Sequence, residues 1–248
     1  MKKTLLCGAV AAALALVVSP ALAANINFEN RTISPESFTS LSKEAGAALG
    51  YRNMTPAAPL GLTGFEIGGE LSTISIAKES EYWKAAFKDN APSYLVIPKL
   101  RARKGLPFGI DVGAMYAYVP DSNVKLYGAE VSKALLDGTM ATPALGVRAT
   151  YTRLAGVNDL ALQTYGIDAS ASKGFLFLTP YAGAGLLVIN TEAKGNLKAY
   201  SPSLTSETNT VPRFFGGVKI TPIPLLAITV EAEYAVRPIY SFKAGISF

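Results

Sequence analysis

The sequence contains no histidine. That absence removes the usual general base, the commonest metal ligand and the side chain that titrates near neutral pH. Cysteine occurs once, at Cys7. Only Thr4, Leu5 and Leu6 separate it from the basic start, so the apolar stretch that should precede a lipoprotein cysteine is missing. Past this point, disulfides and thiolate chemistry are excluded. Tryptophan also occurs once, at Trp83, and charged residues make up only 17% of the chain. The net charge of +5 includes Lys2 and Lys3, and no run of basic residues forms a patch, so no nucleic-acid partner is expected. The densest basic group, Lys99, Arg101, Arg103 and Lys104, reads as half lumen-facing and half a turn. No acidic loop has calcium spacing. Gly183-Ala184-Gly185 and Gly216-Gly217 lack the Lys-Ser/Thr of a phosphate loop, so neither metal nor cofactor is expected.

After the first residues, no stretch has the ~18 unbroken apolar residues of a membrane helix. The nearest, Phe175 to Ile189, is cut by Thr179, Pro180 and glycines. The first residues themselves have a different pattern. Lys2 and Lys3, the apolar run Leu5 to Val18, Pro20 and then Ala21-Leu22-Ala23 form a secretory signal peptide, residues 1–23, with Ala24 as the new terminus. Residues 24–61 read as a helix and a Pro-rich linker. Ser34 is placed to cap, Pro35 to occupy the first helical position, and Phe38, Leu41, Ala45, Ala48 and Leu49 share one face up to Gly50. Thr55-Pro56-Ala57-Ala58-Pro59 comes next. This unit is expected on the periplasmic side, either packed on the rim of the larger C-terminal region or entering it as a plug.

From Leu62 to Phe248 the apolar period becomes two. Clear strands are Phe108–Tyr118, Leu226–Tyr234 and Tyr240–Phe248. Seven more fall near 62–76, 93–103, 123–134, 142–154, 159–171, 174–190 and 210–221. Ten alternating strands of roughly bilayer-crossing length imply closure, because backbone groups in lipid need internal partners. The fold class expected is all-β: a transmembrane antiparallel up-and-down barrel of about ten strands over 62–248, preceded by a short N-terminal helix. Eight and twelve strands remain alternatives. The two long connections, 77–92 and 191–209, both come after odd strands. They therefore face outside, and an even strand count places both ends of the mature chain in the periplasm. Tyr94, Tyr116, Tyr118, Tyr151, Tyr181, Tyr234 and Tyr240 read as aromatic girdles, and Trp83 as an interfacial anchor at the membrane edge.

The last ten residues resemble the C-terminal signal of Gram-negative outer-membrane β-barrel proteins. The matching residues are Tyr240, Phe242, Ala244, Ile246 and Phe248. The whole chain resembles the small members of that class. The resemblance implies an outer-membrane location, contact with outer-membrane lipid and lipopolysaccharide, and assembly by the barrel-assembly machinery, with oligomeric state left open.

Outer-membrane enzymes generally rely on a histidine, so no catalytic activity is expected. With the apolar face outward, the lumen-lining candidates are Glu66, Glu70, Lys99, Arg101, Asp111, Lys125, Arg148, Lys219, Glu231, Glu233 and Lys243. Their near-balance of sign leaves two functions. One is a small, porin-like passive channel for polar solutes. The alternative is a closed barrel, held shut by ion pairs, with a structural or surface-interaction role and no transport.

Overall fold

The computed structural model describes residues 25–120, 122–139 and 141–248. The expected leader, residues 1–23, lies outside them.

Ten strands alternate as the sequence pattern requires: β1 (Phe65–Ser75), β2 (Tyr94–Leu106), β3 (Ile110–Tyr118), β4 (Lys125–Leu136), β5 (Ala144–Ala155), β6 (Leu160–Ser172), β7 (Leu178–Ala193), β8 (Glu207–Ile223), β9 (Leu225–Ala235) and β10 (Arg237–Ser247). Each pairs antiparallel with its sequence neighbours, and β1 pairs with β10, so the sheet is a closed barrel with no free edge. Closure satisfies every ladder position without water, which an open sheet in an apolar surrounding does not achieve. The seam carries Glu66 opposite Ser247 and Ile74 opposite Ile239. Past the last strand, the Phe248 N–H donates to the Phe65 carbonyl, and the Phe65 N–H donates back. The two rings meet edge-on at 4.1 Å.

The outward positions carry the exposed large apolar side chains, among them Leu100, Val131, Ile167, Leu186, Phe214, Val230 and Phe242. A water-soluble barrel would place polar groups there; a continuous apolar exterior is the pattern of a lipid-facing one.

Among the described residues three α-helices accompany the strands: α1 (Pro35–Leu49), α2 (Glu81–Ala86) and α3 (Gly195–Tyr200). In α1, the Ser34 side chain caps by accepting from the Ser37 N–H, and Pro35 occupies the first turn, where its missing donor costs nothing. The expected apolar face is buried, and so are Ser42 and Glu44 on the polar side. Burial on both sides results from position, because α1 lies inside the barrel. Its Ser42 Oγ is 2.8 Å from Thr191 Oγ1 of β7, and Asn209 of β8 donates to the same hydroxyl. At Gly46 the helix approaches β7 so closely that an added Cβ would lie 2.6 Å from Ile189 Cδ1. Any larger residue there would force either the helix or the Ile189 side chain to shift.

The chain ahead of α1 crosses the mouth at the long-loop end. Ile26 exchanges hydrogen bonds with Asn123, the Phe28 N–H donates to Asp159, and the Ile33 N–H donates to Ser201. These three partners lie in the connections after β3, β5 and β7. The chain after α1 runs down the lumen and enters β1 at the opposite rim. The expectation that both ends of the mature chain share the short-turn mouth therefore fails: Asn25 begins at the long-loop end and Phe248 finishes at the other. Strand parity fixes where β1 starts, but the segment before it doubles back through the barrel.

Two local expectations also change. Trp83 is only 2% exposed, and its indole N–H donates to Glu44 of α1 at 2.6 Å. It roofs the lumen from α2 and is not a membrane anchor. Tyr181 points inward and is buried, so it does not belong to the outer girdle.

Candidate functional site

The candidate functional surface is the barrel interior, and it has two storeys. Towards the long loops the inward side chains are apolar: Ile74, Ile97, Leu126, Leu154, Leu162, Leu187, Ile189 and Ile239 are all buried. They enclose α1. The void left among Leu41, Ala45, Ala48, Trp83 and Leu160 is about 30 Å3, room for a water or two.

Towards the short turns the inward side chains are charged, and the segment 50–60 runs among them. This segment has no helix or strand partner of its own, so its backbone polar groups must find others. They find the barrel wall. Arg213 donates to the Tyr51 carbonyl at 2.8 Å, and Arg148 to the Asn53 carbonyl at 2.7 Å and the Thr55 hydroxyl at 2.6 Å. Lys243 donates to the Met54 carbonyl at 2.6 Å, and the Met54 N–H to Glu231 at 2.8 Å. The Ala57 N–H donates to Ser172, and the Leu60 N–H to Asp111 at 3.1 Å. Arg52 turns back to the Ala48 carbonyl at 2.9 Å and pairs with Glu233 at 2.5 Å.

The wall is also paired within itself. Glu70 accepts from Lys99 at 2.6 Å, Arg101 at 2.9 Å and Ser72 at 2.8 Å. Glu66 takes Lys219 at 2.9 Å, and Lys243 closer still. Arg213 grips Asp168 through Nε at 2.7 Å and Nη2 at 2.5 Å. Gly166 makes this possible, since a Cβ there would lie 2.5 Å from Arg213 Nη2. Arg103 Nε stands 2.6 Å from Glu130 Oε1 but without hydrogen-bond alignment, so that contact is Coulombic. Arg101 also stacks over the Tyr51 ring at 4.5 Å.

Of the sequence-derived lumen candidates, Glu66, Glu70, Lys99, Arg101, Asp111, Arg148, Glu231, Glu233 and Lys243 are buried. Lys219 is partly buried and bonded to Glu66. Lys125 is not in the lumen: it is exposed on the outer face of β4. The reason is local. Leu126 turns in against the apolar storey while Tyr127 turns out, so polarity does not mark the face on that strand. Arg103 points inward with Arg101 and Lys99 and so joins the lumen, where it was not among the candidates; Lys104 lies outward, capping the Leu62 and Gly64 carbonyls. Glu130, Asp168 and Arg213 join the lumen without having been expected there. Alternation with Tyr165 and Ile167 is the signal that reveals Asp168. The adjacent Phe214 and Phe215 hide the phase of Arg213.

Chemically the lower storey of the lumen is a set of paired charges. Each of the carboxylates described above is engaged by a cation, a hydroxyl or a backbone N–H. Among the described residues, no group of three or more acidic, His or Cys side chains is placed to hold a metal.

No protein-family model matches the sequence, and no curated protein matches it. Solved barrels share its general shape at a distance. Neisserial surface protein A is 13% identical over 74% of this chain and 94% of its own, with a TM-score of 0.33. The Omp33 outer-membrane protein of Acinetobacter baumannii is 10% identical over 76% and 100%, at 0.34. Ail, the attachment invasion locus protein of Yersinia pestis, is 13% identical over 75% and 97%, at 0.27. At such identities and scores nothing about ligand, pore or role carries across.

Proposed function

We propose that this chain is an outer-membrane β-barrel closed by its own N-terminal segment, with a structural or loop-displaying role in the envelope and no transport activity. The observation that carries this reading is the set of wall side chains bonded to the backbone of residues 51–60. A channel lining faces water; these groups face peptide. Non-helical backbone at membrane depth is tolerated where protein buries it, and breaking its bonds would expose several unsatisfied groups at once.

The apolar exterior supports placement in a bilayer, and the long connections at one end support an outward orientation for that end. Export would use the leader 1–23. In assembly, Tyr240, Phe242, Ile246 and Phe248, all on the outer side of the seam, would be read by the barrel-assembly machinery. The passive-channel alternative predicts conductance. The full chain, inserted in planar bilayers over a range of salt and voltage, is expected to give a flat baseline; reproducible discrete steps would overturn the closed reading.

A further inference from the structure

Two cations on the outside of the barrel have no partner among the described residues. Lys125 on β4 and Arg153 on β5 both face outward and are exposed. Lys125 lies opposite Ala155, and Arg153 opposite Tyr127, so the two are diagonal neighbours on one face, roughly 7–8 Å apart at that spacing. Neither makes an ion pair or side-chain hydrogen bond among the described residues. Their outward neighbours are Tyr118, Tyr127, Tyr151, Ala155 and Gln163, none of them acidic. The acidic residues of the adjoining strands β3 and β6, Asp111 and Asp168, face inward, and Glu192, one strand further on in β7, is engaged by Lys194 at 3.3 Å.

Their depth is marked by aromatic groups. Tyr116 and Tyr127 pack at 5.3 Å, and Tyr151 and Tyr165 at 5.2 Å. Both Tyr151 and Tyr165 point their hydroxyls towards the long-loop end and donate to Gln163 Oε1, at 3.3 and 3.2 Å. Gln163 lies directly opposite Arg153. Tyrosine hydroxyls of a membrane barrel settle where hydrocarbon meets headgroups. Arg153 is two residues beyond Tyr151, about 6–7 Å along the strand at the usual rise. Lys125 is likewise two residues beyond Tyr127. Both cations therefore stand at headgroup level, above an apolar wall and beside aromatic faces.

We infer that Lys125 and Arg153, with the Gln163 amide, form a docking site for the phosphate of an anionic glycolipid headgroup in the leaflet on the long-loop side. Two cations supply the counter-charge, the amide nitrogen has no acceptor among the described residues, and the tyrosine faces offer a ledge for sugar rings. The site rests on the placement of the barrel in the membrane, not on whether its lumen conducts.

Native mass spectrometry of the full-length protein in a zwitterionic detergent tests it, with diphosphorylated lipid A as ligand and phosphatidylcholine and inorganic phosphate as competitors. The wild type is expected to retain lipid A in preference to phosphatidylcholine. The Lys125→Ala/Arg153→Ala variant is expected to bind it roughly thirtyfold more weakly, from two near-surface cations. Lys78→Ala, which removes a cation elsewhere, should bind as the wild type does. Unchanged heat-modifiable gel migration of the double variant separates loss of the site from loss of the barrel. Equal binding by the double variant and wild type would overturn the site. Displacement of lipid A by low millimolar inorganic phosphate would assign it to a free anion and overturn the lipid reading.

Discussion

The two storeys of the lumen fill the same barrel by opposite means. Near the long loops, helix α1 brings its own hydrogen bonds, so the wall needs only apolar surface: Ile97, Leu126, Leu187 and Ile239 meet Phe38, Leu41 and Ala45. Near the short turns, the irregular segment 50–60 brings unsatisfied backbone, so the wall supplies Arg148, Arg213, Lys243, Glu231 and Asp111. The conformation of the plug dictates the chemistry of the wall facing it. Apolar packing tolerates small shifts of the helix, whereas each charged contact below fixes one backbone atom to one strand.

That contrast predicts an order of sensitivity. The largest loss is expected from Arg213→Ala, which strands Asp168 and the Tyr51 carbonyl in a buried site. About 3–5 kcal/mol should disappear from urea unfolding of the folded barrel in lipid vesicles. An effect below about 1 kcal/mol would mean that water already fills the lower storey. Leu41→Ala in the upper storey should cost about 2–3 kcal/mol by the same measurement, because the close-packed lumen collapses only partly around the cavity. Ser34→Ala removes the α1 cap and should cost about 1 kcal/mol. If it matched Leu41→Ala, the helix would owe its place to local propensity rather than to the wall. Lys125→Ala, on the lipid side, should leave stability within about 0.5 kcal/mol. A topological counterpart accompanies these. An epitope inserted ahead of Asn25 should be reached by antibody on intact cells; labelling only after permeabilisation would place the strap at the other mouth.

The strands are legible in the sequence because an apolar exterior puts apolar residues at every second position, and the stretch from Tyr240 to Phe248 shows this to its end. Helix α1 is legible through Ser34, Pro35 and its apolar period. The face of each strand is legible only where the storeys differ from the exterior. On β9, Glu231 and Glu233 mark the inside plainly. On β4 both Leu126 and Tyr127 are apolar, and on β8 Phe214 and Phe215 are adjacent, so alternation has no contrast to report. Trp83 misleads for a related reason: an aromatic in a loop looks the same whether it meets lipid or roofs a lumen. The path of residues 25–60 leaves no local trace, since it is set by partners such as Asp159, Thr191 and Arg213, more than a hundred residues away.

Whether α1 occupies the lumen is the point on which the closed reading depends, and a single disulfide reads it directly. Past Cys7 the chain has no cysteine, and the Ser42 and Thr191 hydroxyls are 2.8 Å apart. A Ser42→Cys/Thr191→Cys variant, purified as the folded barrel and mildly oxidised, is expected to form an intramolecular disulfide nearly to completion, seen as a mass loss of about 2 Da that reductant restores. Free thiols at both positions in a fully folded barrel would place α1 outside the lumen and contradict the account.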